Sequence, residues 1–419
     1  MSAPGQAPLA GLKVVDLTTF LSGPYATQIF ADLGASVIKV EQPAGGDPTR
    51  ILPPHFVHGD SAYFHSINRN KRSVAVDLKH PEGRGILLDL VAQCDVLIEN
   101  FRPGVMDRLH LGWDALRAAN PLLIHCSLTG FGIDGPYRDY PAYDMVVQAL
   151  SGGMSMTGER NGPAVRAGVP IGDLAAGMFS VIGILAALRE RESNGCGRQV
   201  DVSMLDCQVS MLSYQAEYTL VSGKAPGRQG SAHDSIPTYR SFQCGDGKAI
   251  VVTANNEKMW AGLCRTIGCP ELVEDPRFLT NADRFRNREE LGVLLEARFL
   301  EQSSQDIAPK LMAAGVPAAP INSVLEALAD PQVVHRGMVV DAVAEDGKSL
   351  KMVGNPVRFD HRDVSTYHYP PALGEHTFTV LHDDLGIDAA RIAQLAEAGV
   401  LRLDPQSRPA PQACTEAVK

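Results

Sequence analysis

Apolar and polar positions along this chain change period often enough to separate strands from helices. Residues 13–18 (KVVDLT) and 36–41 (SVIKVE) are short β-branched runs, and 24–33 between them has helical spacing with proline first. Strand, helix and strand in so short a compass make a βαβ unit, which implies a parallel sheet covered by helices. The turn 19–23 then falls at the carboxyl end of the first strand, where open α/β sheets bind ligands. The alternation continues with strands at 73–77, 96–99 and 122–129, helices at 81–93 and 103–119, and a glycine-rich loop at 130–136.

The stretch 164–204 organises the rest. Asp173 follows Gly172 and precedes an uncharged small-residue run, 174–188, ahead of a strand at 199–203. That run is shorter than the ~20 apolar residues a membrane span needs and holds Gly177 and Gly183, so it is expected to be a buried helix packed closely on a neighbour. Asp173 has two readings: an N-cap accepting from a free backbone N–H, or a carboxylate nucleophile held ionised by those N–H groups and the helix dipole. Spacing alone does not choose between them.

At 221–234 the composition turns glycine-rich and polar, which reads as a linker or active-site loop. Strands at 239–243 and 249–253 and helices to 311 follow, giving a second, α+β domain over 227–330. Short strands at 338–343 and 349–352, an amphipathic helix at 388–398 and a tail expected to be disordered after about 403 complete the chain.

A formal charge of −10 argues against nucleic acid as a partner, and NRNKR at 68–72 is the densest basic stretch, either a local anion pocket or a solvated turn. The eight cysteines show no C-x-x-C pair and no zinc-like spacing, so free thiols in a reducing compartment and no metal site are expected. Residues 1–12 lack a secretory or transit pattern, which places the protein in the cytoplasm, away from membranes. The first turn lacks G-x-G-x-x-G, so a nicotinamide dehydrogenase is excluded as far as sequence allows.

GLKVVDL, GPYATQIFADLGASVIKVE, GDPTR, NRNKRSVAVDLK, ENFRPG, IGDLAAG, GRQVDVSM, AGVPAAPINS, GNPVRF and LGEHT occur in this order from about residue 9 to about 401. Together they resemble the class III CoA-transferases of the CaiB/BaiF type. The resemblance implies a large Rossmann-like CoA-binding domain (1–226 and 331–419), a smaller α+β domain (227–330), and two identical subunits interlocked as rings. It implies Asp173 as the nucleophile, no permanently bound cofactor, and CoA thioesters and carboxylic acids as substrates. Phe20, Leu21 and Ser22 match positions along the pantetheine and acyl chain. Lys79, Asn100, Phe101 and Arg108 match positions holding the CoA nucleotide, Met204 one beside the CoA arm, and Tyr143 and Asp144 an aromatic and acidic pair near the active carboxylate. A family lysine falls on Pro141 and a glutamine on Leu21, which makes the site less polar than in the oxalate enzymes of the family.

The expected chemistry is attack of Asp173 on an acyl-CoA, through anhydride and aspartyl thioester intermediates. The loop 227–235, with His233, is the expected source of oxyanion donors. SAHDSIPTYRSF and PAVRAG are most similar to the subgroup acting between succinyl-CoA and dicarboxylates such as glutarate or mesaconate. A distal carboxylate wants a cation, with Arg166 first choice and Arg50 and Arg69 behind it. The competing readings are a 2-methylacyl-CoA racemase and a transferase for a monocarboxylate or carnitine-like acceptor. Tyr143 stands where the racemases carry a histidine, and tyrosine is a poor two-way proton shuttle at neutral pH.

Overall fold

The computed structural model describes residues 7–360 and 365–405; the tail from 406 on, expected to be disordered, lies outside them. The chain divides into two compact units, the first made of Met1–Gly153, Ala167–Glu217 and His335–Lys419, the second of Met154–Arg166 and Tyr218–Val334.

In the first unit β1 (Lys13–Asp16), β2 (Ser36–Glu41), β3 (Lys71–Val76), β4 (Val96–Glu99), β5 (Ile124–Thr129), β6 (Arg198–Ser203) and β7 (Leu401–Arg402) form one sheet in the order β7-β3-β2-β1-β4-β5-β6. All pairs are parallel except β7, which runs antiparallel on β3. Consecutive residues serve opposite layers: Val14 and Val96 face one buried cluster, Val15 and Leu97 the other. With both faces covered, the strands need apolar residues at every position, which is why they read as runs. The order reverses between β1 and β4, the switch point at which doubly wound sheets take ligands. Two hydrogen bonds tie the loops there: Thr19 N–H donates to Asn100 Oδ1 (2.9 Å) and Asn100 Nδ2 to the Thr19 carbonyl (2.8 Å).

Six helices of this unit matter for the site: α1 (Ser22–Asp32), α2 (Ala62–Ser66), α3 (Pro81–Gln93), α4 (Asp144–Leu150), α5 (Ile171–Asn194) and α6 (Met204–Met211). The single helix expected at 103–119 is instead two, Val105–Arg108 and Trp113–Ala119. His110 turns left-handed (φ 57°) between them and delivers Leu111 to the core, fully buried.

α5 is longer than its apolar run, ending at Gly195 (φ 66°), and by length and composition alone it would suffice to cross a membrane. In this fold it is a core helix lying on α1, with Ala175, Ala176 and Ile184 fully buried. A Cβ on Gly177 would come within 2.7 Å of the Ser22 carbonyl and 3.0 Å of the Tyr25 ring, so the two helices meet backbone to backbone. Met178, Phe179, Ile182 and Leu185 point away from this core and are exposed.

The NRNKR stretch is neither an anion pocket nor a solvated turn. Arg69 forks onto Asp32 (2.8 and 2.6 Å) and Lys71 meets Asp16 (3.1 Å), with Asn68, Arg69 and Lys71 all buried. Burying these cations is tolerable because each is paired and hydrogen-bonded.

The second unit has its own three-stranded antiparallel sheet (Tyr239–Gln243, Ala249–Thr253, Ala318–Pro320) and its own core, including Phe242, Trp260, Phe278 and Phe299. Helices Glu257–Thr266, Arg288–Leu300 and Ser304–Ala313 pack on it, an α+β arrangement.

Candidate active site

Asp173 is not the cap of α5. Pro170 holds the N-cap position, and Asp173 is the third helical residue, partly buried beside α1. Ser22 of α1 bears on its carboxylate and pulls its pKa down, a proximity made possible by the close approach at Gly177 one turn further on.

The donors at the start of α5 serve a different acid. Gly172 N–H donates to Asp144 Oδ1 (2.7 Å), while Ile171 N–H goes to the Val169 carbonyl (2.8 Å). The other Asp144 oxygen accepts from Gln148 Nε2 (2.7 Å), one turn along α4. α4 lies against both α5 and α6, and from α6 Gln208 presses its amide on Gly172. A Cβ on Gly172 would sit 2.9 Å from both Asp144 Oδ1 and Gln208 Nε2, so a larger residue there would have to displace one of these two side chains.

Two carboxylates therefore share one corner in unlike surroundings. Asp144 has a donor on each oxygen. Asp173 is pushed up to about 7, first by burial and then by the charge of Asp144, against the pull of the Ser22 hydrogen bond. Such a carboxylate is a stronger base and nucleophile than an ordinary one, and still half ionised at neutral pH.

Aromatic side chains flank the pair. Phe20, with a left-handed backbone (φ 62°), meets Tyr143 edge to face at 5.8 Å between ring centroids. Tyr143 itself is largely exposed. Tyr63 on α2 belongs to the same neighbourhood: its hydroxyl is pushed up to about 12 by burial and then by the charges of Asp173, Asp47 and Asp144, so it stays a proton donor.

A buried ionic network supports the turn 18–22. Asp16 accepts from the Thr18 N–H (2.8 Å), the Thr27 hydroxyl (2.7 Å) and Lys71; Lys39 donates to the Thr18 carbonyl (2.7 Å) and meets Asp47 (3.0 Å). Asp47 in turn accepts the Phe20 N–H (3.4 Å). Burial works to raise the Asp16 pKa, but Lys71, Lys39 and the two threonine hydroxyls overcome it and hold the acid far below the usual carboxylate range.

Of the residues singled out by sequence, Phe20, Ser22, Tyr143, Asp144 and Asp173 are joined by these contacts, and Asn100 is joined to the same turn through Thr19. Leu21 is the N-cap residue of α1. Phe101 donates its N–H to Glu99 (2.8 Å), while Lys79 and Arg108, which follow β3 and β4, stand exposed. Met204 is buried in the core with Ala175 and Ala176.

Two of the three arginines are committed inside the fold. Arg50 forks onto Glu41 (2.8 and 2.7 Å), reaches Asp60 (2.7 Å) and stacks on Phe64, so its donors are committed inside the fold, as are those of Arg69. Arg166 is exposed and belongs to the second unit. His233, also there, stacks on Tyr239 and meets Asp234 at 3.0 Å, and in its loop the Gly230 and His233 N–H groups already donate to the carbonyls of Gly158 and Tyr239. Among the described residues no group of three or more His, Cys, Asp or Glu side chains is arranged to hold a metal.

Sequence reading missed Tyr63, Gln148 and Gln208. Gln148 carried a signal, its four-residue spacing from Asp144 on one helix face; the other two reach the site only through the tertiary fold.

Fold and site define an α/β protein with a carboxylate pair beside the first helix of a doubly wound sheet. Residues 9–377 match the sequence model of CoA-transferase family III. The chain is 40% identical over 394 residues to the human succinyl-CoA:glutarate CoA-transferase, covering 94% of this chain and 90% of that protein. It is 42% identical over 359 residues to the acetyl-CoA:oxalate CoA-transferase of Acetobacter aceti, covering 85% and 90%. The crystal structure of a CAIB/BAIF family protein from Brucella suis matches with a TM-score of 0.83 at 40% identity, covering 91% of this chain and 100% of that one. The chain belongs to CoA-transferase family III and is a CoA-transferase.

Proposed function

We propose that the enzyme moves CoA from succinyl-CoA to a second dicarboxylic acid, with Asp173 as the covalent carrier. The observation that carries this reading is the Asp173 carboxylate, made basic by burial and by Asp144 and seated against Ser22. An Asp173 oxygen attacks the thioester carbon and the C–S bond breaks, leaving a mixed anhydride and the CoA thiolate. The thiolate attacks the Asp173 carbonyl carbon, succinate leaves, and an aspartyl thioester remains. The acceptor carboxylate attacks that thioester and the returning thiolate attacks the acceptor acyl carbon, which restores Asp173. Tyr63, as a phenol that keeps its proton, supports the reading as a donor to the developing oxyanion.

Lys79, Asn100, Phe101, Arg108 and Met204 are proposed to hold the CoA moiety and Arg166 the distal carboxylate, with His233 as an additional donor. We place the enzyme in the cytoplasm as an interlocked homodimer of two-domain subunits. Exposed apolar side chains on α5 and on the helix Tyr214–Ser222 support a second copy, and the seven described cysteines, all free, support a reducing compartment. Glutarate leads the acceptors because the human relative's name specifies it. The identity to the oxalate enzyme brings oxalate into the test, while Pro141 and Leu21, which make the site less polar than in the oxalate enzymes, count against it.

The test mixes purified protein with succinyl-CoA and glutarate, mesaconate, citramalate, itaconate, oxalate, formate or carnitine, and follows new acyl-CoA masses, with Asp173→Asn in parallel. A dicarboxyl-CoA from the wild type and none from the variant is expected. Oxalyl-CoA as the sole product would move the assignment to oxalate. If no acid accepts CoA while a chiral 2-methylacyl-CoA loses optical purity, the enzyme is an isomerase.

A further inference from the structure

Gln148 is buried, and its amide is used at both ends: Nε2 donates to Asp144 Oδ2 (2.7 Å) and Oε1 accepts the Ala167 N–H (2.8 Å). Asp144 Oδ1 meanwhile accepts the Gly172 N–H (2.7 Å). One side chain thus holds both ends of the segment 167–172 that leads into the nucleophile, directly at Ala167 and through Asp144 at Gly172. The Asp144 carboxylate, gripped on each oxygen, is held against α5. On the far side Gln208, itself buried and anchored by the Ser151 hydroxyl (2.9 Å), lies against Gly172.

We propose that Gln148 is a positioning residue for the transfer reaction, holding the Asp144 charge in place against Asp173. The inference rests on Asp173 being the nucleophile. A fixed like charge raises the energy of the ionised Asp173. Acylation turns Asp173 into a neutral anhydride while the negative charge departs on the CoA thiolate, so each covalent intermediate relieves the repulsion. An Asp144 free to swing away would lose that effect. The charged and titratable groups bearing on Asp173 are Asp144 from α4 and Tyr63 from α2, with Asp47 beyond Tyr63; the Ser22 hydroxyl of α1 is its hydrogen-bond donor.

The experiment compares Gln148→Leu, Asp144→Asn, the double variant and Asp173→Asn in the full chain. It reads kcat and KM across pH together with acylation of the enzyme by succinyl-CoA, seen as a mass increase. Gln148→Leu is expected to lower kcat roughly tenfold with KM nearly unchanged. Its acid limb should move to lower pH, the direction in which Asp144→Asn moves it, and the double variant should be no worse than Asp144→Asn alone. A wild-type acid limb in Gln148→Leu, or losses that add in the double variant, overturns the proposal. If Gln148→Leu does not fold, Asp144→Asn decides, because an acid limb unmoved there means that the Asp144 charge does not act on Asp173. Acylation persisting in Asp173→Asn sinks the nucleophile assignment instead, a result distinct from the others.

Discussion

Two clusters of acids lie at the carboxyl ends of the central strands, and they treat charge in opposite ways. Under the turn 18–22, Asp16 pairs with Lys71 and Asp47 with Lys39, each wholly removed from solvent and each touching its opposite. At the start of α5, Asp144 and Asp173 stand together, and among the described residues no cation is paired with either. The result is one residue type with two behaviours: Asp16 is held far below the usual carboxylate range, whereas Asp173 is pushed up to about 7. Burial raises both, so burial is not what separates them. Partners decide: the charges under the turn are compensated by neighbours of opposite sign, and the pair at the start of α5 is not.

The largest expected effect comes from breaking the balanced cluster. Asp16→Asn leaves Lys71 and Lys39 without their shared anion and should cost about 3–5 kcal/mol in denaturant unfolding. A loss under about 1 kcal/mol would mean that the network carries little. The unbalanced pair should behave in the opposite sense. Because the folded-state pKa of Asp173 is raised, ionising it weakens the fold; the cost grows as pH rises from about 4 to about 7 and is constant above. Asp173→Asn should therefore be inactive yet more stable than the wild type at pH 8, with the advantage fading towards pH 4 in thermal melts. A variant less stable at every pH would show that Asp173 is a structural acid like Asp16.

Activity should follow the same group. On the proposed mechanism transfer needs the Asp173 carboxylate ionised, so its rate should fall about tenfold per pH unit below about 7. The smallest effect sharpens the contrast. Ser22→Ala removes the side chain that pulls the Asp173 pKa down and should move the acid limb up by a few tenths of a pH unit; a downward move would show that Ser22 does not serve the carboxylate.

The strands 36–41 and 96–99 and the helix 81–93 were legible in the sequence because apolar runs and a proline start mark them without help from the fold. The length of α5 was not. Its last turns, RERESN, are charged residues that continue a helix into solvent, where an apolar pattern has nothing to report. The motif singled out Asp173 as the candidate nucleophile, but its raised pKa was not legible, since that depends on Asp144 arriving from another helix. Arg50 and Arg69 looked like cations open to a substrate because Glu41, Asp60 and Asp32, which neutralise them, lie on other elements.

The missing side chain at Gly177 has a consequence for how such an enzyme diversifies. The placing of Ser22 beside Asp173 depends on two helix backbones touching, a contact that can be widened by adding atoms but not improved by them. Heritable variation at that point is therefore one-directional. A side chain added there would push the helices apart, so changes of acceptor preference are open to the loops and aromatic side chains around the acid and closed to the helix crossing beneath.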